Sequence, residues 1–350
     1  MASKQSDAKP RPKRVTMREI ADAADVSVAT VSYVLNDRGA IGEDTKIRIH
    51  KAIKKFGYKQ NRAARAMKTG RSAIIGLVFP NIDNPFFASL ARAVLDEAQN
   101  NDYQVFLVDT EGSHKREKQA VIGLLQQGVD GIVLFPVDDS DSLAGQTIDI
   151  PIVILDRESE SRDLIQAEYY DGGCMIARYL QDLGHTRFGI LEGPQVVANS
   201  RARSEGFVSA LGSGSRVVWR LEQEYSMTIS EPARTALLKQ DISALVCGND
   251  LIAMGAMSVL QSNKIAIPGE VSVVGFDDIP FASMVTPKLT TVCMPYREMG
   301  REAVNLLLRR MDTGAGDTRN RVVLPVDLVE RESTAPACGK ASATPPGNLA

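Results

Sequence analysis

The sequence is poor in the residues that metal sites, redox centres and secreted scaffolds rely on. It holds three histidines, four cysteines and one tryptophan in 350 residues. His50, His114 and His185 stand far apart, without the close spacing a metal site needs. Cys174, Cys247, Cys293 and Cys338 are scattered and mostly inside apolar runs. That pattern predicts reduced thiols and no disulfide framework. No apolar run approaches the roughly 20 residues that span a bilayer, so no membrane partner is expected. MASKQSDAKPRPKRV lacks the apolar stretch of a secretory signal and reads as a disordered basic arm, residues 1–14. The expected location is the cytoplasm, at the nucleoid. Nucleotide-binding turns are missing too: there is no G-x-G-x-x-G after the first strand and no G-x-x-x-x-G-K-[ST] loop. LGSGS at 211–215 falls after a helix, the wrong context, and no G-x-S-x-G elbow occurs. No catalytic residue, metal or cofactor is therefore expected.

What the chain does have is an uneven distribution of charge. Residues 1–70 hold 16 Lys+Arg against 7 Asp+Glu, a net of +9, while the remainder carries −11 and the whole −2. A basic head on an acidic body is what phosphate contacts call for, since Lys and Arg release condensed counterions from DNA. Within the head, Thr16 and Glu19 form a capping-box pair before the short stripe Ile20, Ala21, Ala24. The stripe breaks at Asp25-Val26, and Ser27 is an N-cap for a second helix. There Val31, Val34 and Leu35 face one way, and Val28, Ala29, Ser32, Tyr33 and Asn36 the other. Two short helices joined by a tight turn fit a helix-turn-helix, whose second helix enters the major groove; a plain surface hairpin is the bland alternative. A third helix follows, with Ile49, Ala52, Ile53 and Phe56 at helical spacing and Gly57 as its stop.

From residue 73 the rhythm changes. AIIGLVFP, YQVFLVDT, GIVLFP and IPIVILD are β-rich runs separated by helical segments, and the pattern restarts with FGILEG, ALVCGN and VSVVGFD. Such alternation predicts parallel sheets covered by helices on both faces. The expected fold is thus an all-α helix-turn-helix headpiece plus an α/β core of two doubly wound subdomains. LTTVCMP, a helix near 296–311 and VVLPVDLVERES then return the chain across both halves. Ligands gather at the carboxyl ends of strands in open α/β sheets, and polar residues cluster there: Asn84 with Phe86 and Phe87, Asp156-Arg157, Asn199 and Arg203, Asn249-Asp250 and Asp277-Asp278. Carboxylates, arginines and amides beside aromatic faces suit a polyhydroxylated ligand. The alternatives are helix caps for Asp and Asn, and plain core for the two phenylalanines.

These segments resemble the LacI/GalR family of bacterial transcription regulators over about residues 15–334. VTMREIADAADVSVATVSYVLN is similar to the family's helix-turn-helix and YKQNRAARAMKTGRS to its hinge. GVDGIVLFP, GHTRFGIL, NDLIAMGA, VSVVGFDDIP, TPKLTTV and LVERES are similar to blocks of its periplasmic-binding-protein-like core. The resemblance implies DNA contacts from Thr16, Ser27, Val28, Ala29, Thr30, Ser32, Tyr33 and Asn36, and from Asn61, Arg62, Ala64, Met67 and Lys68 of the hinge. It implies an effector, a sugar or sugar derivative, held by Asn84, Phe86, Phe87, Asp156, Arg157, Arg203, Tyr225, Asn249 and Asp277. Asn199 joins them by likeness to the purine-repressor branch. Three positions depart from the family pattern. Asp25 replaces a turn glycine, Met67 replaces a leucine that wedges into the minor groove, and Met294 stands near a glutamine of ribose binders.

The implied organisation is a helix-turn-helix domain at 15–60, a hinge at 61–71 and a core at 72–334. Subdomain one covers about 72–170 plus 296–322, and subdomain two about 171–295 plus 323–334. Residues 335–350, with helix breakers and no heptads, are expected to be a disordered tail, which predicts a homodimer. The implied partner is pseudo-palindromic double-stranded operator DNA. The function expected is a repressor whose operator affinity an effector controls. A nucleotide-dependent enzyme or a sugar-binding protein on the same scaffold is the alternative.

Overall fold

The computed structural model describes residues 15–35, 39–58, 70–159, 161–239, 241–314 and 319–337. The chain divides into two compact units, residues 1–72 and 73–350.

The first unit contains α1 (Met17–Ala24), α2 (Val28–Leu35) and α3 (Glu43–Phe56). Its capping box is formed: Thr16 N donates to Glu19 Oε2 at 2.7 Å and Glu19 N to Thr16 Oγ1 at 3.3 Å. Asp25 closes α1 in the left-handed region, φ 52° and ψ 56°, a geometry Asp tolerates better than most residues. Ser27 caps α2 by accepting from Thr30 N at 3.0 Å. Ile20, Ala21, Ala24, Val31, Val34, Ile49 and Ala52 bury together as a core of this unit's own. Phe56 departs from expectation. It is 40% exposed at the end of α3, beside Lys55 Nζ at 5.5 Å, and Tyr58 beyond the turn at Gly57 (φ 60°) packs against the core instead.

The second unit runs β1 (Ile74–Phe79), α4 (Pro85–Asn100), β2 (Gln104–Asp109), α5 (His114–Gln126), β3 (Gly131–Leu134), β4 (Ile152–Leu155), β5 (Asp163–Ala167) and α6 (Tyr169–Asp182). It continues with β6 (Arg187–Glu192), α7 (Ala198–Ser209), β7 (Arg216–Glu222), α8 (Glu231–Leu238), β8 (Ala244–Cys247), α9 (Asp250–Ser262) and β9 (Ser272–Asp277). After β10 (Thr290–Cys293) come α10 (Tyr296–Thr313), β11 (Arg321–Leu324) and β12 (Asp327–Val329). Two six-stranded sheets result, ordered β11-β5-β4-β3-β1-β2 and β12-β10-β9-β8-β6-β7. Every pairing is parallel except β10 with β12. The central strands β3, β4, β8 and β9 are buried throughout, as strands covered on both faces must be.

The chain crosses between the sheets three times: from β5 into α6, from β10 into α10, and from β11 into β12. The last crossing lies after Leu324, beyond the boundary expected at 322/323, because Val323 and Leu324 continue the ladder with Gln166 and Ala167. In the second half α6 and α7 pack backbone to backbone. A methyl group on Gly173 would overlap the Arg203 carbonyl, and one on Gly206 the Tyr170 carbonyl. The tail expected from residue 335 also needs correction. Ala335 N donates to Ser272 Oγ at 3.1 Å and Ala337 N to Leu183 O at 2.8 Å, so 335–337 belong to the body. His185 holds the same segment through Nε2 and the Ala335 carbonyl at 3.0 Å. Residues 338–350 and the arm 1–14 lie outside the described residues.

Candidate functional site

The headpiece presents one face of α2 to solvent. Val31 and Val34 are buried, while Ser27, Val28, Ala29 and Tyr33 are exposed and Thr30 and Ser32 half-buried. Thr16 is exposed at the start of α1. Val28 and Tyr33, at 43% and 51% exposure, are large apolar side chains left outside a core that had room for valines of the same helix. Apolar side chains on such a face match thymine methyl groups, which lie in the major groove. Asn36, Asn61, Arg62, Ala64, Met67 and Lys68 lie outside the described residues.

In the body, the ten residues singled out for a ligand line one cavity: Asn84, Phe86, Phe87, Asp156, Arg157, Asn199, Arg203, Tyr225, Asn249 and Asp277. They arrive from separate strand ends. Asn84 and Asn249 each cap the helix that follows, accepting from Phe86 N and Ile252 N at 3.0 Å, so the capping role and the cavity position coincide. Phe86 and Phe87 meet edge to face, with centroids 5.1 Å apart, and Tyr296 closes the wall 5.5 Å from Phe86. Their burial as core and their place at the cavity also coincide. Asp250 and Asp278, next to the site in sequence, serve the fold. Asp250 accepts from Thr291 Oγ1 and Ile279 N, and Asp278 pairs with Arg331 at 2.6 Å. Met294 is buried and does not line the cavity.

Charge pairs cross the interior. Arg157 Nη1 donates to Asp156 Oδ2 at 2.9 Å, and Asn199 Nδ2 reaches the same oxygen from the other subdomain at 3.1 Å. Arg203 Nη2 lies 3.1 Å from Asp277 Oδ1 but off the line of a hydrogen bond. Its guanidinium lies against Phe276 and Tyr169, 4.1 and 4.8 Å from their centroids, where cation–π attraction adds to the pull of Asp277. Tyr296 donates its hydroxyl to the Asp277 carbonyl. These three aromatic supports, Tyr169, Phe276 and Tyr296, were not visible in the strand-end pattern. Their only signal is proximity to residues already named, as with Phe276 before Asp277.

Both carboxylates sit in left-handed backbone, Asp156 at φ 63° and Asp277 at φ 111°. Burial pushes Asp156 above the usual carboxylate range against the pull of Arg157 and Arg203. Burial likewise raises Asp277 to about 7, with Asp156 adding to the rise and Arg203 opposing it. Five buried polar atoms here have no hydrogen-bond partner: Asp156 Oδ1, Arg157 Nε, Asn199 Oδ1, Arg203 Nε and Asp277 Oδ1. Buried polar groups are normally satisfied, so their convergence makes this cavity the candidate site for a polar ligand. Free space among the ten residues is about 20 Å³, room for about one water molecule. A wider chamber of about 530 Å³ adjoins it, sharing Asp156, Arg157 and Asn199 and bounded by Gln166, Tyr169 and Arg321. The space among the ten residues, as the two halves stand, is too small for a sugar ring.

Known proteins match the chain in both of its units. Residues 16–61 match the family described as bacterial regulatory proteins, lacI family, and residues 177–334 a periplasmic binding protein-like domain. The ribose operon repressor of Halalkalibacterium halodurans is 32% identical over 326 residues, 91% of this chain and 97% of that protein. The HTH-type transcriptional repressor PurR of Haemophilus influenzae is 30% identical over 330 residues, 91% and 98% of the two chains. Among solved structures, the lac repressor dimer bound to operator and the anti-inducer ONPF superposes with a TM-score of 0.79 at 27% identity, covering 92% of this chain and all of that one.

Proposed function

The chain belongs to the lacI family of bacterial regulatory proteins, and from that premise we propose the following reading. The protein is a DNA-binding transcriptional repressor and not an enzyme, with a ligand-controlled core of periplasmic-binding-protein type. Its targets are pseudo-palindromic operators. The α2 face reads bases through Val28, Ala29 and Tyr33, while Thr16, Ser27, Thr30, Ser32 and Asn36 position it on the duplex. Asn61, Arg62, Ala64, Met67 and Lys68 form the hinge, where Met67 wedges into the minor groove; an inserted apolar side chain unstacks one base step. The protein works as a homodimer at chromosomal DNA in the cytoplasm. Phe106 and Leu107 on the edge strand β2 are each 40% exposed, and an apolar edge needs a cover. Among the described residues no helix is long and apolar enough to cross a membrane.

The effector is a small polyhydroxylated molecule, a sugar or sugar derivative. The observation that carries this is the set of unpartnered buried polar atoms on Asp156, Arg157, Asn199, Arg203 and Asp277. Paired sugar hydroxyls donate to the carboxylates and accept from the guanidiniums, and the Phe86–Phe87 wall covers the apolar C–H face of the ring. Met294, near the position of a glutamine in ribose binders, stands outside the cavity lining, so D-ribose is one candidate among the sugars. The test is a mobility shift on an operator selected from random duplexes, titrated with D-ribose, other pentoses, hexoses and purines. A sugar-dependent shift that disappears in Asp277→Ala is the expected result. A response to purines alone would reassign the ligand.

A further inference from the structure

The helix that carries Arg203 starts without a cap of its own. Val197 precedes α7, and its side chain forms no capping hydrogen bond, so the first-turn amides need an acceptor from elsewhere. The other half of the body supplies it. Asp139, in the loop after β3, accepts from Ala198 N through Oδ2 at 2.5 Å, and Arg201 Nη2 lies 3.8 Å from that oxygen. Its other oxygen accepts from Glu158 N at 3.2 Å, which fixes the carboxylate to the first subdomain. One residue along α7, Asn199 makes its own bond across the cleft to Asp156. The glycines of α6 and α7 let the two helix backbones meet directly, so α7 is seated on the second subdomain. Asp139 is thus fastened at the edge of the cleft, outside the ten residues around the inner cavity.

We propose that Asp139 is a clasp between the subdomains: it caps α7 across the cleft and sets the balance between closed and parted halves without touching the effector. A carboxylate against first-turn amides makes a charge-assisted bond that the helix dipole reinforces. When the halves part, Ala198 N loses this acceptor to water. Asp139 is a positioning residue. Its consequence for effector release rests on the cleft being the effector site, whereas closure itself does not.

The test uses the full chain with spin labels on genetically encoded residues at Gln119 of α5 and Thr235 of α8, both exposed, and reads their distance distribution without sugar. Asp139→Ala is expected to raise the population with the longer separation about tenfold, the ratio that ~1.4 kcal/mol represents. Asp139→Asn keeps an acceptor but loses the charge facing Arg201, and should fall between. An unchanged distribution in Asp139→Ala overturns the clasp. Val197→Thr in the Asp139→Ala background then offers α7 a cap from its own subdomain. Recovery of the melting temperature with the halves still parted supports the clasp. Recovery of closure as well shows that Asp139 only caps a helix, and overturns it. D-ribose release rates are read on the same variants. If D-ribose does not bind wild type, the distances still decide the clasp, and the titrations separately decide the effector.

Discussion

Asp156 and Asp277 hold backbone angles that L-residues avoid, a strain of order 1–3 kcal/mol each that persists only where the surroundings enforce it. Each turns a carboxylate inward at a strand end. Asp277 is the more informative of the two because its folded value, about 7, exceeds the ordinary 3.8. The native state then holds that proton more tightly than the unfolded chain. Its stabilising effect is complete below about pH 4 and is lost as pH rises to 7. Thermal melts of wild type from pH 5 to 8 should decline relative to Asp277→Asn, and the two should run parallel above 7. The groups facing Asp277, namely Arg203, Asp156, Asp250 and Tyr296, are shared by both proteins. Effector binding should move the opposite way. Only the ionised carboxylate accepts from two hydroxyls, so calorimetric affinity should weaken about tenfold per unit below pH 7 in wild type. It should stay flat in Asp277→Asn, at one to two decades weaker than wild type at pH 8, since each charge-assisted bond is worth ~1.5–3 kcal/mol. In the headpiece, Val28 and Ala29 offer only apolar contacts. Replacing both by Gln should change the preferred operator bases in a selection experiment, and a uniform loss over all sequences would place them on phosphates instead.

At the scale of elements, the contact of α6 with α7 is the least forgiving. Gly206→Ala sets a methyl against the Tyr170 carbonyl, which is backbone and has no rotamer to escape into. Overpacking of this kind costs about 1–3 kcal/mol. The body should melt earlier, while the headpiece, with its own core, keeps its transition. Thr16→Ala should do the reverse, lowering headpiece stability by about 1 kcal/mol through loss of the cap. Which elements were legible follows from the same physics. β1, β3, β4, β8 and β9 stand out because a strand buried on both faces is a continuous apolar run. β5, DLIQA, does not, because Asp163 is excused by a bidentate Arg310 at 2.7 Å that no local pattern reveals. β7, RVVWRLE, lies at a sheet edge and carries charges, and α8 is short. In the site, nine of the ten lining residues announced themselves at strand ends or by family likeness to such an end. Tyr225, in the loop after β7, came from likeness alone. Asp139 was passed over because a carboxylate in a loop of aspartates looks like solvated turn, and its partner is 59 residues away in sequence.

For the whole molecule, control of transcription is a coupling free energy between the cleft and the operator, and such coupling is reciprocal. Whatever factor the effector changes operator affinity by, saturating operator must change effector affinity by the same factor. Anisotropy on labelled operator and calorimetry on the effector measure the two arms, and a factor of one in both would show that the cleft and the operator are not coupled. Leu107→Asp on the edge of β2 should shift sedimentation from dimer to monomer and weaken operator binding, since a lone headpiece holds one half-site. The order of the strands has a further consequence for how the protein is made. One edge strand of each sheet, β11 in the first and β12 in the second, comes last among the described strands. On the ribosome the headpiece can fold as soon as it emerges, as N-terminal domains do. Both sheets then wait for the final stretch, with β5 and β10 each lacking one neighbour until it is released. The headpiece, whose core draws on no residue of the body, can thus be complete while both sheets still lack a strand.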